Sequence, residues 1–153
     1  STTEGIIVHE NGIIIDLNQA FAGMIGFDEE NILGKSVSSF APENRKDEIQ
    51  EILRRDIAMQ QETMLLNKAG ESLSVEITGR SHFYRGKKVK VIAIRDITLR
   101  KNAEQKLKEN EERLNYFFTL TLEGIALIDE KKIIDVNSAF LQITEFISEE
   151  ILK

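Results

Sequence analysis

The sequence predicts an α+β domain built around an antiparallel five-stranded sheet with short helices on one face, followed by a C-terminal linker helix. Three observations lead to this prediction. Five short stretches are apolar throughout or alternate with a period of two, and apolar residues recur at helical spacing in the region between the second and third stretches. A charged, amphipathic stretch begins after residue 98, and the beginning of the sequence is repeated near its end. Strands at both ends of a helical region are typical of mixed α+β folds.

The composition excludes several classes of protein. The 153 residues suffice for one domain with a sizeable core, but two complete domains would be cramped. A net charge of −6 argues against nucleic-acid binding. The absence of Cys removes disulfides, thiolate nucleophiles and Cys-ligated metals. Since no apolar run approaches the ~20 residues of a membrane helix, we expect a cytoplasmic segment without direct membrane contact.

Two short strands joined by a tight turn form the first predicted elements. Residues 6–8 and 13–17 are apolar, and the Asn11-Gly12 pair between them favours a hairpin turn because both residues tolerate positive φ. Asn18 is positioned as the N-cap of a helix, and a second short helix begins near Asp28. Alternation along the returning strand puts Ile15 and Leu17 on one face and Ile14 and Asp16 on the other, and we expect Ile14 to lie on the convex face.

A longer helix and three strands complete the predicted domain. Residues 43–59 carry an apolar stripe that indicates core packing rather than a cofactor site: Ile49, Ile52, Leu53 and Ile57. Period-two patterns then predict strands over 63–67, 73–84 and 89–97. The last strand is apolar on both faces, which indicates a central strand. We expect Ile92 to lie on its convex face.

The opening of the sequence occurs twice at a spacing of 119 residues. Residues 4–34 and 123–153 are identical at 13 of 31 aligned positions. The identical pairs include Asp16/Asp135, Asn18/Asn137, Ala20/Ala139, Phe21/Phe140 and Phe27/Phe146. Because this spacing is a domain length rather than a solenoid period, the pattern predicts two tandem copies of one domain, the second represented by its first quarter.

The stretch between the copies is helical and carries an apolar seam with a spacing of three and four residues. The seam consists of Ala103, Leu107, Asn110, Leu114, Phe117 and Thr121. This spacing is typical of a coiled coil. A plain amphipathic linker helix packed on its own domain is the alternative, because the seam is short and contains two polar residues.

Three stretches resemble a known family when taken in order. "GIIIDLNQAFAGMIGFDEENILGK" is similar to the first half of a PAS domain, "NKAGESLSVEI" to its fourth-strand region, and "RDITLRKNAEQKLKENEERL" to the Asp-Ile-Thr end and linker helix between PAS domains. Such PAS/PAC sensor domains occur in bacterial or archaeal sensor histidine kinases and diguanylate cyclases. The resemblance implies a PAS domain at 4–98, a linker or signalling helix at 99–122 and an N-terminal fragment of a second PAS domain at 123–153.

The resemblance also implies where a ligand would bind and how a signal would leave the domain. PAS domains hold their ligands between the concave sheet and the small helices, so we expect a small apolar pocket lined by Phe21, Met24, Ile52, Leu53, Met64 and Val91. The end of the last strand, Asp96, Ile97 and Thr98, is expected to relay the signal. Thr98 is expected to cap the linker helix.

Residue types limit the cofactors that such a pocket could use. LOV-type flavin chemistry requires a reactive Cys, which this sequence lacks. The oxygen-sensing heme type uses a His on the long helix, and residues 43–59 contain none. Redox FAD domains often stack the flavin on Trp, which is also absent. We expect His9 and His82 to be exposed or hydrogen-bonded surface residues rather than metal ligands, and the cofactor remains unknown.

Two functions remain open at this stage. The first is a sensory, signal-transduction module of a two-component system or cyclase pathway, which binds a small ligand or relays a conformational signal through its C-terminal helix to a downstream kinase or cyclase domain. The second is a ligand-free module for dimerisation or protein interaction. Both predict a cytoplasmic homodimer joined through a coiled coil, or the cytoplasmic part of a membrane-anchored sensor. No catalytic residues or metal ligands are predicted, and an enzyme has no supporting motif.

Overall fold

A computed structural model describes residues 4–145 and Glu150. The chain divides into two compact units, Ser1–Lys101 and Asn102–Lys153. Phe146 of the sequence repeat and most of the residues after it lie outside the described part of the chain.

The first unit is a five-stranded antiparallel sheet with helices between its second and third strands. Its elements are β1 (Gly5–Glu10), β2 (Ile13–Leu17), α1 (Gln19–Ile25), α2 (Glu29–Ile32), two 3₁₀ helices (Val37–Phe40 and Glu43–Arg45), α3 (Lys46–Arg54), β3 (Ile57–Leu66), β4 (Ser72–Tyr84) and β5 (Lys87–Asp96). Helix α4 (Thr98–Leu120) follows directly. The strand order is β2-β1-β5-β4-β3, which confirms the predicted α+β fold, its sheet and its C-terminal helix.

Strand β5 is the third of the five strands in this order, and it pairs with β1 on one side and β4 on the other. Ile92 is 1% exposed and belongs to the same apolar core as Phe21 of α1 and Ile52 of α3. The expectation that Ile14 and Ile92 lie on the convex face was therefore wrong. Both residues belong to the helix-covered core, since the helices pack on the face that these two side chains share.

The helix predicted over 43–59 is shorter than expected. A 3₁₀ turn occupies its beginning, α3 ends at Arg54, and Ile57 begins strand β3. Ile57 fits the apolar stripe of a helix, but it pairs with Gly79 of β4 and is 5% exposed. Pairing across the sheet therefore ends the helix before the apolar pattern does.

Asn18 joins β2 to α1 and also connects this turn to β1. Its Oδ1 accepts from the backbone N–H of Phe21 at 3.0 Å and from that of Ile6 at 2.9 Å. Its Nδ2 donates to the carbonyl of Glu4 at 3.0 Å. The predicted N-cap is confirmed, and the same side chain fixes the end of the neighbouring strand.

The second unit repeats this local arrangement. It contains the C-terminal part of α4, then β6 (Ala126–Asp129), β7 (Lys132–Val136) and α5 (Ser138–Thr144). Asn137 Oδ1 accepts from the N–H groups of Phe140 and Ile125, both at 2.9 Å, and Asn137 Nδ2 donates to Glu123. The identical residues of the sequence repeat therefore encode the same hairpin and helix cap.

Candidate functional site

A cleft of about 590 Å³ opens in the first unit between the β1–β2 hairpin, helix α3 and strands β4 and β5. Its walls are largely polar, unlike the apolar pocket that the sequence predicts. The lining residues include His9, Asn11, Ser36, Gln50, Leu53, Arg54, Ser81, Lys88 and Lys90.

The floor of the cleft is a polar row that crosses three strands. His9 of β1 pairs with Lys90 of β5, and Lys90 pairs with Ser81 of β4. Residues directly opposite each other in an antiparallel sheet share a face, so these three side chains lie side by side. We call His9, Lys90 and Ser81 the polar row.

The neighbouring row of the sheet is apolar and tightly packed. Ile92 pairs with Ile7 on one side and Gly79 on the other. A Cβ at position 79 would lie 2.3 Å from Cδ1 of Ile92. The Ile92 side chain therefore occupies the space that a side chain at Gly79 would need. The cleft therefore begins where the sheet floor changes from apolar to polar.

His9 is buried and has one ring nitrogen without a partner. The residue is 2% exposed, and its Nδ1 accepts from the backbone N–H of Gly12 at 3.1 Å. Its Nε2 has no hydrogen-bond partner among the described residues. Burial and then the nearby Lys90 ammonium lower the pKa of His9 to about 4. At neutral pH the ring is therefore uncharged, and because Nδ1 is an acceptor, Nε2 carries the proton. The expected surface location of His9 was wrong.

Asp56, which lies between α3 and β3, holds the other end of the polar row. Its Oδ1 accepts from Ser81 Oγ at 2.9 Å and from Lys90 Nζ at 3.4 Å. The Ser81 hydroxyl, and to a smaller extent Lys90, hold the pKa of the Asp56 carboxyl below its usual range. Lys90 is therefore placed between a carboxylate and the His9 ring, with 22% of its side chain exposed.

The cleft has more cations than carboxylates. Arg54, Lys88 and Lys90 line it, against Glu10 in the lining and Asp56, which pairs with Lys90 at one end of the polar row. Arg54 has an ion pair with Glu51 at 3.5 Å, but both side chains are largely exposed, so this contact offsets little of its charge. Lys88 has no ion-pair partner within residues 4–145. The cleft is suited to negatively charged or acceptor-rich groups.

The predicted pocket residues do not gather around this cleft. Phe21, Ile52 and Leu53 are in the buried core, and Met24 packs against it. Leu53 is the one of the six that lines the cleft, whereas Met24 lines a smaller depression beside Gly26 and Lys68. Met64 and Val91 are absent from the core, because they alternate with the buried Leu65 and Ile92 and so occupy the opposite face of the sheet.

The junction between β5 and α4 is fixed to the sheet by three hydrogen bonds. Ile97 N–H donates to the carbonyl of Ser74 at 2.8 Å, and Ser74 N–H donates to Thr98 Oγ1 at 3.0 Å. Thr98 N–H donates to Asp96 Oδ1 at 2.9 Å. The first helical N–H is therefore capped by Asp96. The expectation that Thr98 caps the linker helix was wrong, since its hydroxyl accepts from Ser74 of β4 and donates to Asp96.

The first turn of α4 supplies cations to two facing carboxylates on the sheet. Glu62 of β3 and Glu76 of β4 are directly opposite each other, an arrangement that is repulsive by itself. Arg100 contacts Glu76 at 2.6 Å and Glu62 at 3.5 Å, and Lys101 contacts Glu62 at 2.6 Å. We call Glu62 and Glu76 the acidic pair. Its charges are compensated by the start of the helix.

Sequence reasoning missed the polar row, although one signal for it was present. Lys90 stands between Val89 and Val91 in a strand that is apolar on both faces. A lysine at such a position needs a partner or access to water. Its neighbours in the row become apparent only when the strand register is known. Within the described residues there is no group of three or more His, Cys, Asp or Glu that could hold a metal ion.

Comparisons with known proteins agree with this architecture. A sequence model of the PAS domain matches residues 3–99, and a second PAS domain model matches residues 112–152. No curated protein matches the chain. No helix in the described residues is long and apolar enough to cross a bilayer.

Solved structures share the fold of the first unit. The PAS domain of an HTR-like protein from Haloarcula marismortui is 26% identical, with a TM-score of 0.54 over 61% of this chain and 81% of that one. A PAS domain from Colwellia psychrerythraea is 20% identical, with a TM-score of 0.55 over 62% and 86%. A sensory box histidine kinase/response regulator from Burkholderia thailandensis is 17% identical, with a TM-score of 0.54 over 74% and 91%.

The sheet order, the helices on its concave face and the matched residues define a sensory type of α+β domain. The chain belongs to the PAS domain family. PAS domains are sensory and signal-transduction modules that typically have no catalytic activity of their own.

Proposed function

We propose that this chain is a sensory PAS module in which the cleft binds a small molecule and the junction at Asp96, Ile97 and Thr98 relays the bound state to helix α4. The observation that carries the proposal is the attachment of the helix start to the sheet. Ser74 bonds to both sides of the junction, and the acidic pair contacts the first helical turn. A small movement of β4 relative to β5 changes these contacts and therefore shifts the helix.

The cleft and the junction share two strands, which gives the relay a short route. Ser81 and Ser74 both belong to β4, and Lys90 and Asp96 both belong to β5. A ligand that moves the polar row therefore acts on the same strands that hold the helix. Within this proposal, residues 4–98 form the PAS domain, residues 99–122 the signalling helix and residues 123–153 the N-terminal portion of a second PAS domain.

The output of the module is a downstream histidine kinase or diguanylate cyclase domain in a cytoplasmic signalling protein. The resemblance of the Asp-Ile-Thr end and linker helix to such proteins supports this assignment. The Burkholderia thailandensis structure is that of a sensory box histidine kinase/response regulator, which supports the kinase version.

A ligand-free dimerisation module is the second candidate, and one observation favours it. Helix α4 exposes large apolar residues at a spacing of seven and three: Leu107, Leu114 and Phe117. Their exposed fractions are 60%, 69% and 55%. A parallel pairing of two helices along this seam would bury them. Both functions are compatible with a homodimer, but only the first requires a ligand.

Native mass spectrometry of the chain purified from cells tests the proposed function. We expect a retained small molecule, and we expect its removal to change amide exchange at residues 98–101. In a Thr98→Ala variant, which loses the bond to Ser74, this change should shrink, whereas Thr98→Ser should preserve it. Retention of a molecule without any change at the junction would contradict the relay. A chain that retains nothing from cells would favour the ligand-free module.

A further inference from the structure

The buried ring of His9 presents an N–H group for which the described residues offer no acceptor. The Gly12 amide fixes the tautomer by donating to Nδ1 at 3.1 Å, which leaves the proton on Nε2. Nε2 is buried and without a partner among these residues. A buried donor without an acceptor is unfavourable, because it loses its hydrogen bond to water without gaining another, so the site is completed by a group that supplies an acceptor atom.

A charge stands directly beside this donor. Lys90 is the register partner of His9, and it lies close enough for its ammonium to lower the pKa of the ring. Its contact with Asp56 is long, at 3.4 Å, whereas charge-assisted N–H···O bonds are usually about 2.7–2.9 Å. Lys90 can therefore form a shorter bond to an oxygen placed above the row without a large loss from Asp56.

Helix α3 and the segment before it supply further donors to the lining of the cleft. Gln50 and Arg54 of α3 and Ser36 line the cleft, and Lys88 adds a cation at its edge. The Ser36 hydroxyl and the Gln50 amide are already bonded to Ser38 Oγ, at 2.8 Å and 3.4 Å, so this wall offers the second N–H of Gln50 and the guanidinium of Arg54 as donors. A ligand between the two walls meets mainly N–H groups and positive charge.

We infer that the cleft takes a small oxyanion, a carboxylate or phosphate, one of whose oxygens accepts from His9 Nε2–H while the Lys90 ammonium balances its charge. This inference rests on the proposed function, because it names the chemical class of ligand for the same cleft. Neutral apolar molecules leave the His9 donor unsatisfied and are excluded by this chemistry.

NMR of the 153-residue chain labelled with ¹⁵N-histidine tests the inference directly. The probes are succinate, inorganic phosphate and the uncharged succinamide, each added at matched ionic strength. We expect the free protein at neutral pH to show His9 protonated on Nε2. We also expect saturable shifts of the His9 Nε2 signal with succinate or phosphate and none with succinamide. The anion with the higher affinity, succinate or phosphate, shows whether the cleft recognises a carboxylate or a phosphate.

Variants on strand β5 separate a specific site from general attraction. Lys90→Gln should weaken anion binding by about tenfold or more, the size of a charge-assisted hydrogen bond. Lys87→Gln removes the same charge from the same strand outside the cleft lining and should leave affinity nearly unchanged. Lys90→Arg should retain binding, and unchanged dispersion of the β5 signals verifies that each variant is folded.

The outcomes distinguish this inference from the proposed function. No saturable His9 shift with either anion, or equal weakening in Lys90→Gln and Lys87→Gln, overturns the oxyanion site. Binding of succinamide as strong as that of succinate does the same, while ligand sensing itself would stand. If the anion binds at His9 but exchange at residues 98–101 does not change, the oxyanion site stands and the relay is wrong.

Discussion

His9 illustrates how a single side chain acquires its properties from strand pairing. In the sequence it lies between Val8 and Glu10 and has no neighbouring ligand pattern. In the fold it is buried beside Lys90, with the Gly12 amide bonded to its ring. Lys90, which helps to lower its pKa, is 81 positions away along the chain, and Gly12, which fixes its tautomer, is three positions away.

The depressed pKa of His9 makes the stability of the first unit depend on pH. The neutral ring is favoured in the folded state, where the pKa is about 4 against 6.5 for the unfolded chain. Stability from this residue is therefore complete above pH 6.5 and is lost as the pH falls towards 4, because the unfolded chain then binds the proton first. The loss reaches at most about 3 kcal/mol. Lys90 is the charged group that acts on the ring, and Asp56 pairs with Lys90; the other charged residues of the cleft lining are Lys88, Arg54 and Glu10.

Urea unfolding followed by the NMR signals of β5 at several pH values measures this effect. We expect His9→Gln to flatten the change in unfolding free energy between pH 6.5 and pH 4.5 relative to the parent chain. The exposed His82 supplies the matched control, since His82→Gln should retain the parent slope. Identical slopes in the parent and in His9→Gln would show that His9 does not carry this pH dependence.

Local residue patterns predicted the features that depend on a few neighbours. Asn18 is followed by an apolar helical pattern, so its role as a cap could be read directly, and Asn137 repeats it. The buried state of His9 and the position of Lys90 could not be read in the same way. Both depend on which strands become neighbours, and that is decided by contacts distant in sequence.

At the scale of elements, the two hairpins of the repeat differ in the chemistry of their turns. The first turn places Asn11 and Gly12 at φ values of 51° and 85°. The second places Glu130 and Lys131 at 47° and 68°. Left-handed conformations cost residues with a Cβ roughly 1–2 kcal/mol, and much less for Asn and Gly. The β6–β7 hairpin therefore carries backbone strain that the β1–β2 hairpin avoids.

Substitution of the turn residues of the second hairpin tests this difference in backbone strain. A Glu130→Asn/Lys131→Gly variant should stabilise the second hairpin by about 1 kcal/mol. The result is measured as increased amide-exchange protection in β6 and β7. The reciprocal change, Gly12→Lys, should lower protection in β1 and β2. Unaltered protection of β6 and β7 would indicate that other contacts dominate this hairpin.

The length of α3 shows why element boundaries were harder to predict than element types. The apolar stripe of residues 43–59 is continuous at helical spacing, so it contains no stop signal. The helix ends because Ile57 gains more by joining β4, where it pairs with Gly79 at 5% exposure. That gain is tertiary and overrides local propensity.

At the scale of the whole molecule, the apolar seam of α4 predicts self-association. Leu107, Leu114 and Phe117 are exposed on one helix of 23 residues. An isolated helix seldom exposes this much apolar surface without a partner, and the spacing matches that of a parallel coiled coil. The short seam implies modest affinity, because it offers only a few apolar contacts between two helices.

Sedimentation velocity over a range of concentrations measures the association. Leu107→Glu should shift the chain towards monomer, since it places a charge within the seam. Gln105→Glu introduces the same residue on the same helix outside the seam and should leave the distribution unchanged. A dimer of undiminished affinity in Leu107→Glu would place the interface on another surface.

The overall architecture was predictable because the repeat, the period-two stretches and the Asp-Ile-Thr junction can be read from the sequence without knowing which strands pair. The location of the cleft was not predictable in this way. Its floor is one row of a sheet in which Ser81 and Lys90 face each other by register, and a shift of one residue would turn both to the opposite face. Pocket residues chosen by apolar character alone therefore fell in the core or on the other face.

The acidic pair has a consequence for the exchange of PAS domains between proteins. A fusion joined immediately after Thr98 keeps all the strands but replaces Arg100 and Lys101, which compensate Glu62 and Glu76. The transplanted domain would then keep only the long contact of Arg95 with Glu76, at 3.9 Å, and would lose both cations that contact Glu62, so it would need more salt to remain folded. A fusion joined after Lys101 carries its own counter-charges. The transferable module therefore includes the first turn of the helix.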